Sequence, residues 1–410
     1  MRKTCILITC DYPYDTGESF LENEIDYLSR AFQNIYIFPI NAHEGDKMTR
    51  SLPSNAVAFP VGCVHNATRI FVYAFRGLLV HNAELKIWSL NPKYMAANLY
   101  ARGRSAYIRK FILEKITGCH IDCSDATIYS YWFADQALAA GLLKETLKRD
   151  FPMIKAVSRA HRYDLYWDRN MAGYLPYQDV SLRLLDSVHP CSDDGSNYLK
   201  KIHPEYSEKI ATARLGTKDL DLAPQPVRTV FVTCCSLKKF KRISLFAEAY
   251  CALLKKNPEC YWYCIGDGEE LELIQSIVKN AHSESNVQFL GRLSNRNVLD
   301  FYRENAVSYF VNVSTTEGLP VSIMEAMSYG IPTIATDVGG SGEIVTGETG
   351  LLLPAELTAD MLTDYLAKEI SISKEEYAEK RQNARKMWED KYSADKNYRE
   401  WCDVLTMQEV

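Results

Sequence analysis

Short β-branched runs alternate with segments of helical period along this chain. The alternation stops once, at a stretch rich in glycine and proline, and then restarts. A strand followed by a helix and another strand builds parallel sheet, so the pattern predicts an α/β chain with two doubly wound domains. The strand-like runs of the first half are Thr4 to Thr9, Ile35 to Ile40, Ala126 to Tyr131, Ile154 to Val157 and Val188 to Cys191. The second half offers Val230 to Cys235, Tyr261 to Ile265, Val287 to Phe289 and Ser308 to Val313, with helices expected over Ile243 to Leu254, Glu269 to Ala281 and Asn295 to Arg303. Arg214 to Arg228 carries a Gly, two Pro and no helical period, and is expected to link the domains. The expected organisation is residues 1–218, residues 219–390, and a last helix over 391–410 that packs back, with Tyr398, Trp401, Cys402 and Leu405 on one face. A length of 410 residues suits two domains.

The net charge of -5 offers no electrostatic footprint for nucleic acid. The twelve cysteines show no disulfide framework, and many sit inside apolar runs, which suits buried thiols in a reducing compartment. Cys119 and Cys123 have no second pair at zinc-site spacing, and no catalytic metal is expected. The opening residues read as a strand and no run reaches the length of a membrane span, so a cytoplasmic location is expected.

After the first run comes GESFLENEIDYLSRAF, where Ser19 and Glu22 have capping-box spacing. A helix is therefore expected just after Gly17, and its positive end beside Gly17, at the carboxyl edge of the first strand, suits phosphate. The most informative stretch is EGLPVSIMEAMSYGIPTIATDVGGSGEIV. Pro320 suits a helix start, Gly330 a C-terminal cap and Pro332 a stop. Glu317 then lies just before the helix and Glu325 inside it, eight residues on, so both carboxylates could address one cleft. Carboxylates accept hydrogen bonds from sugar or ribose hydroxyls, and the free N–H groups of Gly318 and Leu319 suit phosphate or sugar oxygens. A capping glutamate plus an exposed helix glutamate is the plainer alternative for these residues taken alone.

This stretch, with GETGLLLP after it, resembles the donor-binding segment of the retaining glycosyltransferases of family 4 (group 1), whose paired glutamates are separated by seven residues as Glu317 and Glu325 are. IGDGEE around Gly266, FLGRL, SRAHRYDLY and ARLG resemble further segments of that family, and SFLENEIDYLSRAFQNIYIFPI resembles its bacterial cell-surface polysaccharide members. Only residues 45–125 lie outside the likeness. The resemblance implies a GT-B architecture: two Rossmann-like domains facing across a cleft, the first on the acceptor side and the second binding the nucleotide sugar. It implies that Glu325 holds the donor ribose and Glu317 contacts the donor sugar. His161 is implied to position that sugar and stabilise charge at its anomeric centre. Lys241, in SLKKFKRI, occupies the position of the family's diphosphate-binding lysine. Ser236 stands where the partner arginine is usual, and Lys238 or Lys239 is the available substitute.

The implied activity is retaining, metal-independent transfer of a sugar from a UDP- or GDP-linked donor to a glycan or lipid-linked acceptor. No cofactor is implied beyond that donor substrate. A sugar-nucleotide epimerase and a non-catalytic nucleotide-sugar-binding subunit are the alternatives, the latter because of Ser236. Asp164 could orient His161 or cap the following helix, and capping is the favoured expectation. Asp219 and Asp221 lie in the linker, and read as solvated turn residues. Residues 100–118 carry Arg102, Arg104, Arg109, Lys110 and Lys115 against Glu114, so a basic amphipathic helix could touch an anionic membrane, joined by Ala67 to Val80; a solvated domain helix is the alternative.

Overall fold

The central strands are apolar on both faces, which is what a parallel sheet covered by helices on both sides requires. Thr4–Thr9 is buried along its whole length. The computed structural model describes residues 3–15, 17–18, 20–63, 72–73, 75–76, 85–86, 89–167, 173–220 and 222–407. Contacts divide the chain into two units, Met1–Leu215 with Asn397–Val410, and Gly216–Lys396.

The first unit runs β1 (Thr4–Thr9), α1 (Leu21–Ala31), β2 (Asn34–Pro39), β3 (Ala56–Ala58), α2 (Pro92–Gly118), β4 (Thr127–Ser130), α3 (Asp135–Leu147), β5 (Lys155–Ala160), α4 (Gln178–Leu184), β6 (Ser187–Pro190) and α5 (Asp193–Ile202). The second runs β7 (Val230–Cys234), α6 (Ile243–Leu254), β8 (Tyr261–Ile265), α7 (Leu271–Asn280), β9 (Val287–Gly291), α8 (Asn295–Glu304), β10 (Tyr309–Asn312), α9 (Val321–Ser328), β11 (Thr333–Thr336), α10 (Ser341–Ile344), β12 (Gly350–Leu353), α11 (Ala359–Glu369) and α12 (Lys374–Lys391). A final helix, α13 (Ala394–Thr406), follows.

The sheet orders are β3-β2-β1-β4-β5-β6 and β12-β11-β10-β7-β8-β9, with parallel pairing between the neighbouring strands. Each sheet therefore reverses direction at its first strand, between β1 and β4 and between β7 and β10. Ligands of doubly wound sheets bind at such switch points, beyond the carboxyl ends of the strands.

The linker expectation changes. The stretch after Gly216 is packed instead of free: Trp388 Nε1 donates to Thr217 Oγ1 at 2.7 Å and Arg381 to the Ala223 carbonyl at 2.9 Å. The second unit therefore begins at Gly216, whose added Cβ would lie 2.5 Å from the Ala394 backbone. Asp219 is held by Arg385, while Asp221 lies outside the described residues. α13 returns to the first unit, where Trp401 Nε1 donates to Glu24 at 2.9 Å and Tyr398, Trp401 and Leu405 are buried.

The basic face expected on α2 is partly buried. Arg102 and Arg104 are 7% and 5% exposed, and Arg104 pairs with Asp135 at 3.0 Å. Two of the five cations are thus spent inside the unit, while Ile108 and Ile112 enter its core. Most of Ala67 to Val80 lies outside the described residues. No helix among the described residues is long and apolar enough to cross a membrane. The cysteines are free, and Cys119 is the exposed one while Cys123 is buried.

Candidate active site

At the second switch point the turns after β7 and β10 meet. The Thr315 N–H donates to the Phe240 carbonyl at 2.8 Å, and this bond carries Lys241 to Glu317. Lys241 Nζ donates to Glu317 Oε1 at 2.5 Å. Two residues from the end of β10 complete the cradle: Asn312 Nδ2 lies 3.3 Å from Glu317 Oε1, and Ser314 Oγ lies 2.6 Å from it. Ser314 Oγ is also 2.7 Å from Asn312 Oδ1, so its one proton is shared between two acceptors. Glu317 is 6% exposed, an environment in which a carboxylate needs a cation and donors of this kind.

Glu325 lies on α9, where Pro320 is the cap residue. Among the described residues, the N–H groups of Gly318 and Leu319, just ahead of this helix, donate to nothing. Glu325 is 8% exposed, and Asn295 Nδ2 at the start of α8 donates to its Oε1 at 2.5 Å. No cation pairs with it among the described residues. Burial pushes its carboxyl up to about 7, against the pull of the Asn295 bond. Cys234 is a near neighbour, for burial and the Glu325 charge both push its thiol up. The Tyr302 hydroxyl, also raised by burial, is enclosed without a hydrogen-bond partner.

Gly266 has φ +139, and a Cβ there would sit 1.9 Å from the Cys235 carbonyl oxygen. Its place in the site is therefore backbone against backbone: the turn after β8 is zipped to the turn after β7, with Leu237 N–H donating to Asp267 O at 2.9 Å. Ser236 is exposed, as are Lys238 and Lys239. Arg242, which the sequence reading passed over, turns the other way at φ +52 and donates to the carbonyls of Val313, Ser314 and Ala355. The basic run thus divides into one cation for the site and one that ties the β10 turn to the scaffold.

The first switch point is built differently. The Glu18 carboxylate accepts the N–H groups of Cys10, Asp11 and Tyr12 at 2.7, 2.8 and 2.7 Å, together with Trp132 Nε1 at 2.6 Å. The backbone N–H groups at the end of β1 are thus taken up by the chain's own carboxylate. Gly17 lies in the first unit and the other expected donor residues in the second. Glu22 pairs with Arg50 at 2.6 Å instead of capping α1, and Ser19 lies outside the described residues.

His161 follows β5 with its ring between Tyr131 and Trp132, at centroid distances of 4.9 and 4.8 Å. It is 8% exposed, its Nε2 has no hydrogen-bond partner, and burial assisted by Arg159 pushes its pKa down to about 3. The imidazole is therefore neutral. Among the described residues Asp164 caps no α-helix, and it bonds the backbone of His161 and not its ring. Its carboxylate accepts the backbone N–H of His161 at 2.7 Å and of Phe133 at 2.5 Å, clamping the turns after β4 and β5, and burial pushes it up to about 6. Arg159 pairs with Glu24 at 3.4 Å with both side chains fully buried.

The family match falls in the second unit. Residues 222–387 match the family model for Glycosyl transferases group 1. The match lies within the second unit and spans less than half of the chain. The putative colanic acid biosynthesis glycosyltransferase WcaL of Escherichia coli is 25% identical over 80% of this chain and 82% of its own. The GtfA subunit of the UDP-N-acetylglucosamine–peptide N-acetylglucosaminyltransferase of Streptococcus pneumoniae is 27% identical over 44% of this chain. That match spans 37% of the pneumococcal protein, well under two thirds of its length. Anabaena HepE, solved in complex with UDP and glucose, superposes over 99% of this chain and 100% of its own with a TM-score of 0.65 at 14% identity. That likeness is one of fold: both chains carry the two-domain GT-B architecture.

Proposed function

We propose that this protein is a retaining, metal-independent glycosyltransferase that moves a sugar from a nucleoside diphosphate sugar to a glycan or lipid-linked acceptor in surface polysaccharide synthesis. The observation that carries the reading is the second switch point: a buried carboxylate cradled by Asn312 and Ser314 and paired with Lys241, next to a helix start with free N–H groups, with a second buried carboxylate on the same helix. The group 1 match and the relatives named for polysaccharide glycosyltransfer support the same class. The UDP held by the HepE structure supports a nucleotide sugar as donor.

In this reading Glu325 accepts hydrogen bonds from the ribose hydroxyls and Glu317 from hydroxyls of the donor sugar. Lys241 moves its charge from Glu317 toward the diphosphate as the glycosidic bond breaks, where growing negative charge needs a positioned cation. The acceptor hydroxyl attacks on the face the phosphate leaves, and the leaving phosphate takes its proton. His161, being neutral, presents Nε2 as a hydrogen-bond acceptor and polarisable partner for the sugar without adding charge.

The test is thermal unfolding against UDP, GDP, ADP and CMP, with and without a chelator. A ligand at a hundred times its dissociation constant stabilises by about 2.7 kcal/mol. One nucleotide is expected to stand out, unaffected by chelator and without effect on Glu325→Ala, and the matching sugar donor should yield product with the donor's anomeric configuration. A folded protein stabilised by none of them, or a product of inverted configuration, would refute the reading.

A further inference from the structure

Beyond His161 the same turn carries a feature that the donor chemistry does not use. Asp164, Leu165 and Tyr166 are 3%, 1% and 3% exposed and anchor the turn, whereas Tyr163 and Trp167 are 54% and 37% exposed. Trp167 is not loose. Its Nε1 donates to Gln178 Oε1 at 2.5 Å, and Gln178 is itself buried and donates back to the Leu165 carbonyl at 3.1 Å. The Trp167 backbone N–H donates to the Tyr198 hydroxyl at 3.1 Å.

Two further rings extend this surface from distant parts of the first unit. Tyr174 meets Trp167 edge to face at 6.0 Å, and Tyr94, on the first turn of α2, stacks on Tyr174 at 4.4 Å and 16°. The Tyr174 hydroxyl is pinned inward by the buried Asn98 at 2.8 Å. Indole N–H and phenol O–H are thus satisfied on the protein side, and Tyr94, Trp167 and Tyr174 are all only partly buried. A preordered aromatic surface of this kind loses little side-chain entropy on binding.

We propose that Tyr94, Trp167 and Tyr174 form an acceptor subsite that stacks on the apolar faces of saccharide rings, so that the acceptor is recognised as a glycan chain beyond its reacting sugar. The proposal rests on the glycosyltransferase reading for the word acceptor, though not for the binding itself. A pyranose is apolar across its C–H faces and polar around its hydroxyl rim, which fits fixed aromatic ring faces. Trp167 is the sixth residue after His161, so chain length alone keeps the two within about 20 Å. A lipid surface is the less suitable occupant, because Arg102 and Arg104 of α2 are turned inside the unit and the polar groups of Trp167 and Tyr174 are already bonded to protein.

The experiment screens the full-length protein on an array of short hexose and N-acetylhexosamine oligosaccharides and titrates the best binder in solution, beside vesicles of phosphatidylethanolamine and phosphatidylglycerol. Trp167→Ala is expected to weaken oligosaccharide binding about tenfold, and Trp167→Phe to retain most of it, with unfolding temperature and nucleotide-induced stabilisation unchanged. In a transfer assay the loss should fall on the acceptor KM and leave kcat and donor KM alone. Should Trp167→Ala not fold, Tyr94→Ala carries the same expectation. The proposal is overturned if the folded protein binds no saccharide, if both alanine variants bind as wild type does, or if these rings govern vesicle binding alone. Absence of any nucleotide response with Trp167-dependent saccharide binding intact would fell the transferase reading and leave this subsite standing.

Discussion

The raised Glu325 carboxyl makes a prediction with a definite sign. Its pKa moves from the usual 4.5 to about 7 because burial beside Cys234 and Tyr302 outweighs the bond from Asn295, the one side-chain donor to it among the described residues. Between those two values the folded protein holds a proton that the unfolded chain has released, so this group's contribution to stability falls as pH rises from about 4.5 to 7. A shift of roughly two and a half units corresponds to about 3 kcal/mol of destabilisation at pH 8. Glu325→Gln removes that term, and for a unit of this size should melt roughly 5–10 °C above wild type at pH 8 and close to it at pH 5. Wild type alone is a poor readout, because Asp164 at about 6 has the same sign and His161 and His189, pushed down to about 3, oppose it. The variant-minus-wild-type difference across pH isolates the one group. Nucleotide binding should show the converse: if the ribose is held by the carboxylate, wild-type affinity strengthens about tenfold between pH 6 and pH 8, while Glu325→Gln is weak and flat. Using the difference between variants also cancels the titration of the nucleotide phosphate. A Gln variant no more stable than wild type at pH 8, or parallel binding profiles, would refute the burial argument.

Other perturbations test the rest of the framework. Glu24→Ala leaves Arg159 buried without its carboxylate and strips Trp401 of its acceptor, so it should cost about 3–5 kcal/mol and release the last helix to hydrogen exchange. Gly266→Ala forces a Cβ into the Cys235 carbonyl at a positive φ, and should destabilise the second unit by about 3 kcal/mol or more in denaturant titration. Lys241→Met leaves Glu317 without its cation; nucleoside diphosphate binding should fall at least tenfold with a weaker salt dependence, whereas nucleoside binding should change little. Glu18→Gln keeps the shape of the β1 turn and loses the charge-assisted bonds from Cys10, Asp11 and Tyr12, so a loss of about 2 kcal/mol is expected in thermal unfolding of the first unit.

The alternation of β-branched runs and helical segments determined the two doubly wound sheets. It did so because parallel strands must be apolar on both faces and must be joined by crossovers. α6 over Ile243–Leu254 and β8 over Tyr261–Ile265 were legible to the residue, while β3, with only three half-exposed residues, carries no periodicity to read. The position of Pro320 likewise placed Glu317 just ahead of a helix and Glu325 inside it. Tertiary structure decided which polar groups meet. Asn312, Ser314 and Asn295 are unremarkable letters in sequence and become partners of the two glutamates only where the turns after β7 and β10 are bonded together and α8 packs beside α9. The two switch points share one topology, yet one holds a buried glutamate paired with a lysine and the other has its backbone N–H groups taken up by Glu18. Nothing local separates these outcomes: a glutamate beside a glycine reads the same whether it faces solvent or folds back onto three N–H groups. Local spacing sets the path of the backbone, and long-range packing sets which of its charges are left to do chemistry.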